Sequence, residues 1–365
     1  MNAKRVLILA NDFTAIHHFR MELLKRLKME GYEVLLAMPD DEKNIAFNNY
    51  VNKLISIPLT RFGTNPWREF KAFKSIRKVI RQEKPDVILT YTAKPNIYGG
   101  LAASLEKTPY IVTVTGLGSN FDKNNMISRM MLILERRAFR DAKKVLFQNA
   151  GNMETLHKHR IAVNNSSLVP GSGVNLQMNA YETYPQNSKT VFLAAARIRQ
   201  DKGYDELFDV IRRFHDEAIS AEFHIIGWYE EDSYKEIVEE LQSHYGVHFY
   251  EFITHDQMHQ YIAACDCLVQ PSHHEGMSNI ILEAAATGRP CIVSDIHGCK
   301  EAVIDGETGY VFKVKDVNDL YDKMKLFLST DREKRIKMGI KARSYMEEAF
   351  DRNHVVQLYL DEINR

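Results

Sequence analysis

Short runs of consecutive apolar residues alternate along this chain with longer stretches in which apolar positions recur every three or four residues. In the first half, Arg5–Ala10, Glu33–Ala37, Val87–Thr90, Ile111–Val114, Val145–Gln148 and Leu168–Pro170 read as strands. Between them, Ile16–Met29, Pro66–Gln82, Asn96–Leu105, Met126–Arg140 and Asn152–His159 have helical spacing. Polar residues from Tyr181 to Lys189, with Pro185 among them, interrupt the alternation. A second series then predicts strands at Val191–Ala195, Phe223–Ile226, Val247–Tyr250, Cys267–Gln270, Cys291–Val293 and Tyr310–Phe312. Its predicted helices are Tyr204–Glu217, Ser233–Ser243, Asp256–Ala263, Asn279–Ala286 and Val317–Leu328, followed by Arg332–Ala349 and Arg352–Ile363. A strand that is apolar at every position is buried on both faces, which is the habit of parallel sheets covered by helices. The expectation is an α/β chain of two units, 1–180 and 181–349, with parallel sheets and a cleft between them.

At 365 residues the chain exceeds what one core usually serves, which agrees with two units. The apolar run Val6–Ala10 is too short for a signal-peptide core, and no stretch approaches 18 uncharged apolar residues, so no membrane crossing is expected. The four cysteines, Cys265, Cys267, Cys291 and Cys299, lack the second close pair of a zinc site and suit a reduced cytoplasmic chain. The net charge of zero conceals a split: residues 1–185 hold 27 Lys and Arg against 16 Asp and Glu, and the remainder 21 against 32. A basic first half is expected to face something anionic.

Ligands of open α/β sheets bind beyond the carboxyl ends of the strands, so the loops there carry the candidate chemistry. The segment from Gln270 to Ala284 leaves a strand and enters a helix, with Glu275 on the loop and Glu283 one turn beyond Asn279. Gly276 frees the turn, and the unpaired N–H groups over Met277, Ser278 and Asn279 can receive an anion. A carboxylate can accept from two vicinal hydroxyls, so Glu275 and Glu283 suit a hexose and a ribose, although a helix-end charge and a solvated glutamate would read alike. After Val191–Ala195, Arg197 and Lys202 can reach one phosphate pair; a basic surface loop is the plain alternative. Gly173 ends the first half in a turn of the same kind.

The loop after the first strand has no glycine, which removes a dinucleotide fingerprint. It offers instead Asn11, Thr14, His17, His18 and Arg20 as contacts for a phosphate-bearing acceptor. Lys94 and Asn96 follow a second strand, and Gly116 and Gly118 a third, facing the same ligand. Between Pro66 and Lys84, seven Lys and Arg stand against two Glu, with Trp67, Phe70, Phe73, Ile76 and Ile80 interleaved. Met126–Arg140 repeats this mixture, and helices of this kind lie on anionic bilayers as well as on sheets. Nucleic acid is not expected, since no zinc finger, RNA-binding aromatic motif or GXXG clamp is present.

These residues together resemble the retaining glycosyltransferases of family 4, which have the GT-B architecture of two Rossmann-like domains. The resemblance covers nearly the whole chain and rests on Arg197, Lys202, and Glu275 with Glu283 in the context Glu275-Gly276 through Leu282-Glu283-Ala284. Ile16 to Arg20, Lys94 and Asn96 before Gly99, and Gly116 to Ser119 are similar to the bacterial branch that extends undecaprenyl-diphosphate-linked sugars in protein glycosylation, capsule and O-antigen assembly. Asn11 to Ala15 stand where many relatives carry a glycine-rich loop, and Asn175 where many carry Asp.

The resemblance implies an acceptor domain over 1–180, a donor domain over 181–349 and a last helix, 350–365, packed back on the first. It implies a UDP-sugar as donor substrate, a polyprenyl-diphosphate-linked saccharide as acceptor, and residence at the cytosolic face of the inner membrane. Glu275, Arg197, Lys202, His17 and His18 would be catalytic, Glu283, Gly276 to Asn279 and Gly173 would hold the donor, and neither metal nor cofactor is expected. A UDP-N-acetylhexosamine epimerase and a non-catalytic nucleotide-sugar-binding assembly protein are the alternatives.

Overall fold

A computed structural model describes residues 3–60, 63, 65–117, 126–251 and 253–365, apart from the side chains at 127, 255 and 256. The chain forms two compact units, residues 1–172 with 353–365, and residues 173–352. The boundary therefore falls at Ser172–Gly173 rather than at 180–181, because Gly173 and Val174 belong with Arg352, whose N–H donates to the Val174 carbonyl.

The first unit holds seven parallel strands: β1 (Arg5–Leu9), β2 (Glu33–Met38), β3 (Lys53–Ser56), β4 (Val87–Tyr91), β5 (Tyr110–Val114), β6 (Lys144–Phe147) and β7 (Ser166–Leu168). Their order is β3-β2-β1-β4-β5-β6-β7. The second unit holds six: β8 (Val191–Ala195), β9 (Glu222–Ile226), β10 (His248–Tyr250), β11 (Cys267–Gln270), β12 (Cys291–Ser294) and β13 (Gly309–Phe312). They run β10-β9-β8-β11-β12-β13, again all parallel.

Burial on both faces explains the continuous apolar runs. Along β1, Val6 and Ile8 enter one core with Leu24 and Val34, while Leu7 and Leu9 enter another with Ile76 and Val112. Along β8, Phe192 and Ala194 pack with Phe208 and Phe223, whereas Val191 and Leu193 pack with Ile281 and Leu282. The last helix, Arg352–Asn364, places Val355, Val356, Tyr359, Leu360 and Ile363 in the first of these cores. Its Tyr359 hydroxyl lies 2.9 Å from Thr113 Oγ1 on β5.

Three local expectations need correction. Strand β3 escaped notice because it is a four-residue edge strand with only two apolar residues, Leu54 and Ile55, between exposed polar ends. The helix expected over 16–29 is two helices, Phe13–His17 and Met21–Met29, with Arg20 in a non-helical conformation between them. Asp12 caps the first by accepting from the Ala15 N–H at 2.8 Å, so that helix begins earlier than the apolar pattern suggests. The helix expected from Asn96 begins with a wide turn, Pro95–Gly99, before Gly100–Glu106.

Strand order reverses direction at β1/β4 in the first unit and at β8/β11 in the second. At such a point the loops leaving two adjacent strands diverge and open a crevice. The loops after β8 and β11 carry Arg197 to Gly203 and Pro271 to Ser278, the donor candidates; those after β1 and β4 carry Asn11 to Arg20 and Thr92 to Asn96.

Candidate functional site

In the second unit, the β8 loop closes with a 3-10 turn, Gln200–Lys202, and Gly203 follows with φ +72°. A Cβ on Gly203 would lie 2.0 Å from the Pro271 carbonyl oxygen, so the two loops touch through backbone that only glycine permits. That approach brings Lys202 Nζ to 2.7 Å from Glu275 Oε1, with 10% and 15% of the two side chains exposed. Ser272 Oγ donates to the same carboxylate oxygen at 2.8 Å, and Gln270 Nε2 donates to it at 3.4 Å and to Ser272 Oγ at 2.7 Å. The His273 N–H donates to the Asp201 carbonyl, binding the loops a second time. Glu275 is thus a carboxylate fixed by a cation and two side-chain donors, and it is no loose helix-end charge.

Past Glu275 the chain is held from behind. The Ser278 N–H donates to the Gly298 carbonyl at 2.8 Å, and a Cβ on Gly298 would meet the Gly276 and Glu275 carbonyl oxygens at 2.8 and 2.9 Å. Ser278 precedes the helix Asn279–Ala286 without capping it by its side chain. The first N–H groups of that helix have no partner in the preceding turn and remain donors for an anion. Asn279 Nδ2 donates to the Met277 carbonyl at 3.4 Å. The Met277 side chain is buried among Ile281, Leu282 and Val293, where it packs the core, so only its backbone is left for a donor.

Glu283 is buried as well, which removes the solvated-glutamate reading. Burial pushes its carboxyl up to about 7 against a weaker opposing pull from Arg352. Arg352 also donates to the Gly173 carbonyl from Nε and Nη2 at 3.2 and 3.1 Å, so Gly173 serves the same corner through its backbone. Because the folded chain holds the Glu283 proton more tightly than the unfolded chain, this group's contribution to stability is complete below about pH 4.5 and falls as pH rises to about 7. Glu283→Gln is therefore expected to gain roughly 2–3 kcal/mol relative to the parent between pH 4.5 and 8. Urea unfolding of both chains across that range checks it, and a pH-independent difference contradicts it.

Arg197 stands apart from Lys202. Its Nη1 bonds both oxygens of Glu230, at 2.8 and 3.0 Å, and Arg199 Nη1 reaches the same carboxylate at 2.9 Å. Burial pushes the Glu230 carboxyl up, but the two guanidinium groups outweigh it and hold it below the usual range. Glu230, Ser272 and Gln270 were missed by sequence reasoning. The last two sit within the quoted segment but carry no signal beyond polarity; Glu230 is 33 residues from Arg197 along the chain.

In the first unit, His17 ends its short helix with the ring stacked on Phe13 at 4.7 Å, and His18 lies against it at 5.3 Å. His17 and Thr14 are exposed, and Asn11, His18 and Gly116 are half-buried. Two expectations fail. Arg20 is buried, its guanidinium 4.5 Å from the Tyr91 ring centre and 5.9 Å from that of Tyr359, so it packs the interior. Asn96 is consumed internally: its carbonyl accepts from Thr90 Oγ1 at 2.7 Å and its amide donates to the Thr113 carbonyl at 2.8 Å, tying β4 to β5. Lys94 pairs with Glu69 at 2.6 Å. Gly118, like Ser119, lies outside the described residues.

A helix start able to receive an anion, a lysine paired to a fixed carboxylate and a buried glutamate in that helix are thus gathered at the loops after β8 and β11. Residues 5–149 match the family model described as glycosyl transferase 4-like, and residues 182–345 match that of glycosyl transferases group 1. The chain belongs to this family of glycosyltransferases, with the GT-B fold.

Among characterised relatives, it is 29% identical over 380 residues to the N,N'-diacetylbacillosaminyl-diphospho-undecaprenol alpha-1,3-N-acetylgalactosaminyltransferase of Campylobacter jejuni, covering 99% of this chain and 98% of that one. It is 24% identical over 270 residues to the UDP-Gal:alpha-D-GlcNAc-diphosphoundecaprenol alpha-1,3-galactosyltransferase of Escherichia coli, covering 69% and 68%. Its fold is shared with a sucrose-phosphate synthase from Thermosynechococcus elongatus, at TM-score 0.80, 18% identity and 98% coverage of both chains.

Proposed function

We propose that this chain transfers a hexose or N-acetylhexosamine from a UDP-sugar to an undecaprenyl-diphosphate-linked sugar during assembly of a bacterial surface glycan, with retention at the anomeric carbon. The observation that carries this reading is the end-to-end likeness to the Campylobacter transferase, which covers 99% of this chain and 98% of that one. The Lys202–Glu275 pair supports it independently.

In this reading Lys202 and the N–H groups at the start of the helix Asn279–Ala286 neutralise the leaving diphosphate, which is worth most where water is excluded. Arg197 adds to this when its guanidinium leaves Glu230 for the phosphate. Glu275 accepts from hexose hydroxyls and Glu283 from the ribose. The acceptor oxygen bonds to the anomeric carbon on the face from which the phosphate oxygen departs, and the acceptor proton passes to that phosphate. His17 or His18 holds the acceptor. No metal has a part in this scheme, because Lys202 supplies the charge that an ion would bring.

The test is transfer from a panel of UDP-sugars to polyprenyl-diphosphate mono- and disaccharide mimics, read by product mass and anomeric NMR, with and without chelator. One α-linked product formed equally in chelator is expected. UDP-sugar conversion without acceptor would overturn the proposal in favour of an epimerase, and absence of any turnover in favour of a binding protein.

Membrane contact forms part of the same proposal. On the helix Pro66–Glu83, Ile76 and Ile80 are buried, while Trp67 is 82% exposed and flanked by exposed Arg68, Lys71 and Lys74. On the helix Met126–Phe139, Met126 is 86% and Ile133 64% exposed beside exposed Arg129, Arg136 and Arg137. The core accounts for the first set of apolar residues and leaves the second unused, as a seat on anionic lipid would require. No helix among the described residues is long and apolar enough to cross a membrane. Trp67→Ser with Phe70→Ser is expected to weaken sedimentation with phosphatidylglycerol vesicles about tenfold, while turnover on a short, water-soluble acceptor mimic is unchanged. Equal sedimentation of both chains would refute the contact.

A further inference from the structure

The edge strand β10 of the second sheet and its neighbour β9 carry a donor set that the transferase reading does not use. Strands β9 and β10 pair in parallel with His224 opposite His248. Glu222 lies two positions before His224, so its side chain leaves the same face of the sheet. Phe223 and Ile225 point to the other face and into the core. The two imidazoles meet edge to face, with centroids 4.8 Å apart at 64°. One ligand atom from each of Glu222, His224 and His248 lies within 4.8 Å of the other two. Glu222 and His224 are half-buried, and His248 is exposed, which leaves a side open to solvent.

No hydrogen bond or ion pair with another described residue engages any of the three side chains. Two imidazoles and a carboxylate on neighbouring strands are thus held together without a partner that would explain the grouping. Behind it, Tyr250 lies 5.8 Å from the His224 ring and 4.8 Å from Tyr261, giving the group an aromatic wall on one side.

We propose that Glu222, His224 and His248 form a site for a divalent transition metal of the zinc class. Two nitrogens and one carboxylate oxygen are a common three-ligand set for zinc, with water as the fourth ligand. Magnesium and calcium, which prefer all-oxygen shells, are disfavoured by the two imidazoles. Zinc bonds of about 2.0–2.1 Å place tetrahedral ligand atoms roughly 3.3 Å apart, so the group must tighten around the ion. The exposed His248 side chain can supply that movement by rotation. A bound ion would clamp the edge strand β10 to β9 and stabilise the second unit. It plays no part in sugar transfer, whose candidate residues in this unit follow β8 and β11.

The test uses the full chain after chelator treatment, titrated with Zn²⁺ by calorimetry near neutral pH and heated with and without the ion. One site per chain is expected, with a raised Tm. The variant His224→Gln with His248→Gln should lose that site, binding at least about tenfold more weakly, and show no rise in Tm. Absence of zinc binding, or equal binding by parent and variant, overturns the proposal, the second outcome placing the ion on other histidines. Should the variant fail to fold, the visible spectrum of Co²⁺ on the parent chain decides. Intense tetrahedral bands that Zn²⁺ displaces support the site, and the weak spectrum of the hydrated ion refutes it.

Discussion

Glu275→Gln is expected to lower turnover by about 10²–10³-fold, the loss seen when one preorganised polar contact to a transition state is removed. The amide keeps the size of the side chain and can still accept from Ser272, which donates at 2.8 Å in the parent. It no longer carries the charge that holds Lys202 Nζ at 2.7 Å, nor does it accept equally well from two sugar hydroxyls. In the proposed reading both defects fall on the bond that breaks: the hexose would be oriented less firmly, and the lysine released from its position beside it. The Michaelis constant for the donor should change less than the turnover number, because the proposal assigns the nucleotide half of the donor to other groups. Steady-state kinetics with a matched Tm measurement provide the check. Turnover within threefold of the parent in a folded variant would remove Glu275 from the reaction.

Gly203→Ala should be nearly as damaging through a different route. The added Cβ would stand 2.0 Å from the Pro271 carbonyl oxygen, an overlap that only backbone movement relieves, and φ of +72° adds its own penalty to any other residue. Moving the β8 loop away from the β11 loop separates Lys202 from Glu275 by the same amount. A displacement near 1 Å at a positioned catalytic group can cost about 10²-fold in rate. Destabilisation of roughly 2–4 kcal/mol is expected beside it, from overpacking combined with strain. Activity and urea unfolding, measured on the same preparation, test both. A variant with parental stability and rate would show that the loops tolerate separation.

The architecture was legible because the central strands are buried on both faces. Val6 to Leu9 are apolar at every position since alternate residues feed two different cores. The same logic hid β3, whose outward edge needs no apolar residues. Helix boundaries failed where a polar side chain sets them, as at Asp12, or where a cation lies in the interior, as at Arg20. In the candidate site, Glu275 and Lys202 could each be placed on a strand-end loop from sequence, but their ion pair could not, because it depends on the close approach of Gly203 to Pro271. The engagement of Arg197 by Glu230 could not, since it depends on how the β9 loop folds over the β8 loop. Asn96 was misread because a residue within two positions of an exposed loop can still face inward, and spacing alone does not show which do.

The return of the helix Arg352–Asn364 to the first unit imposes an order on the making of this protein. The ribosome delivers residues 1–172 first, yet their core lacks Val355, Tyr359 and Ile363 until the final stretch emerges. Residues 173–352 are contiguous, begin later and can complete their own core sooner. During synthesis the earlier half therefore waits, with the Val6 and Ile8 face of its sheet incompletely covered, for the chain to come back and seal it.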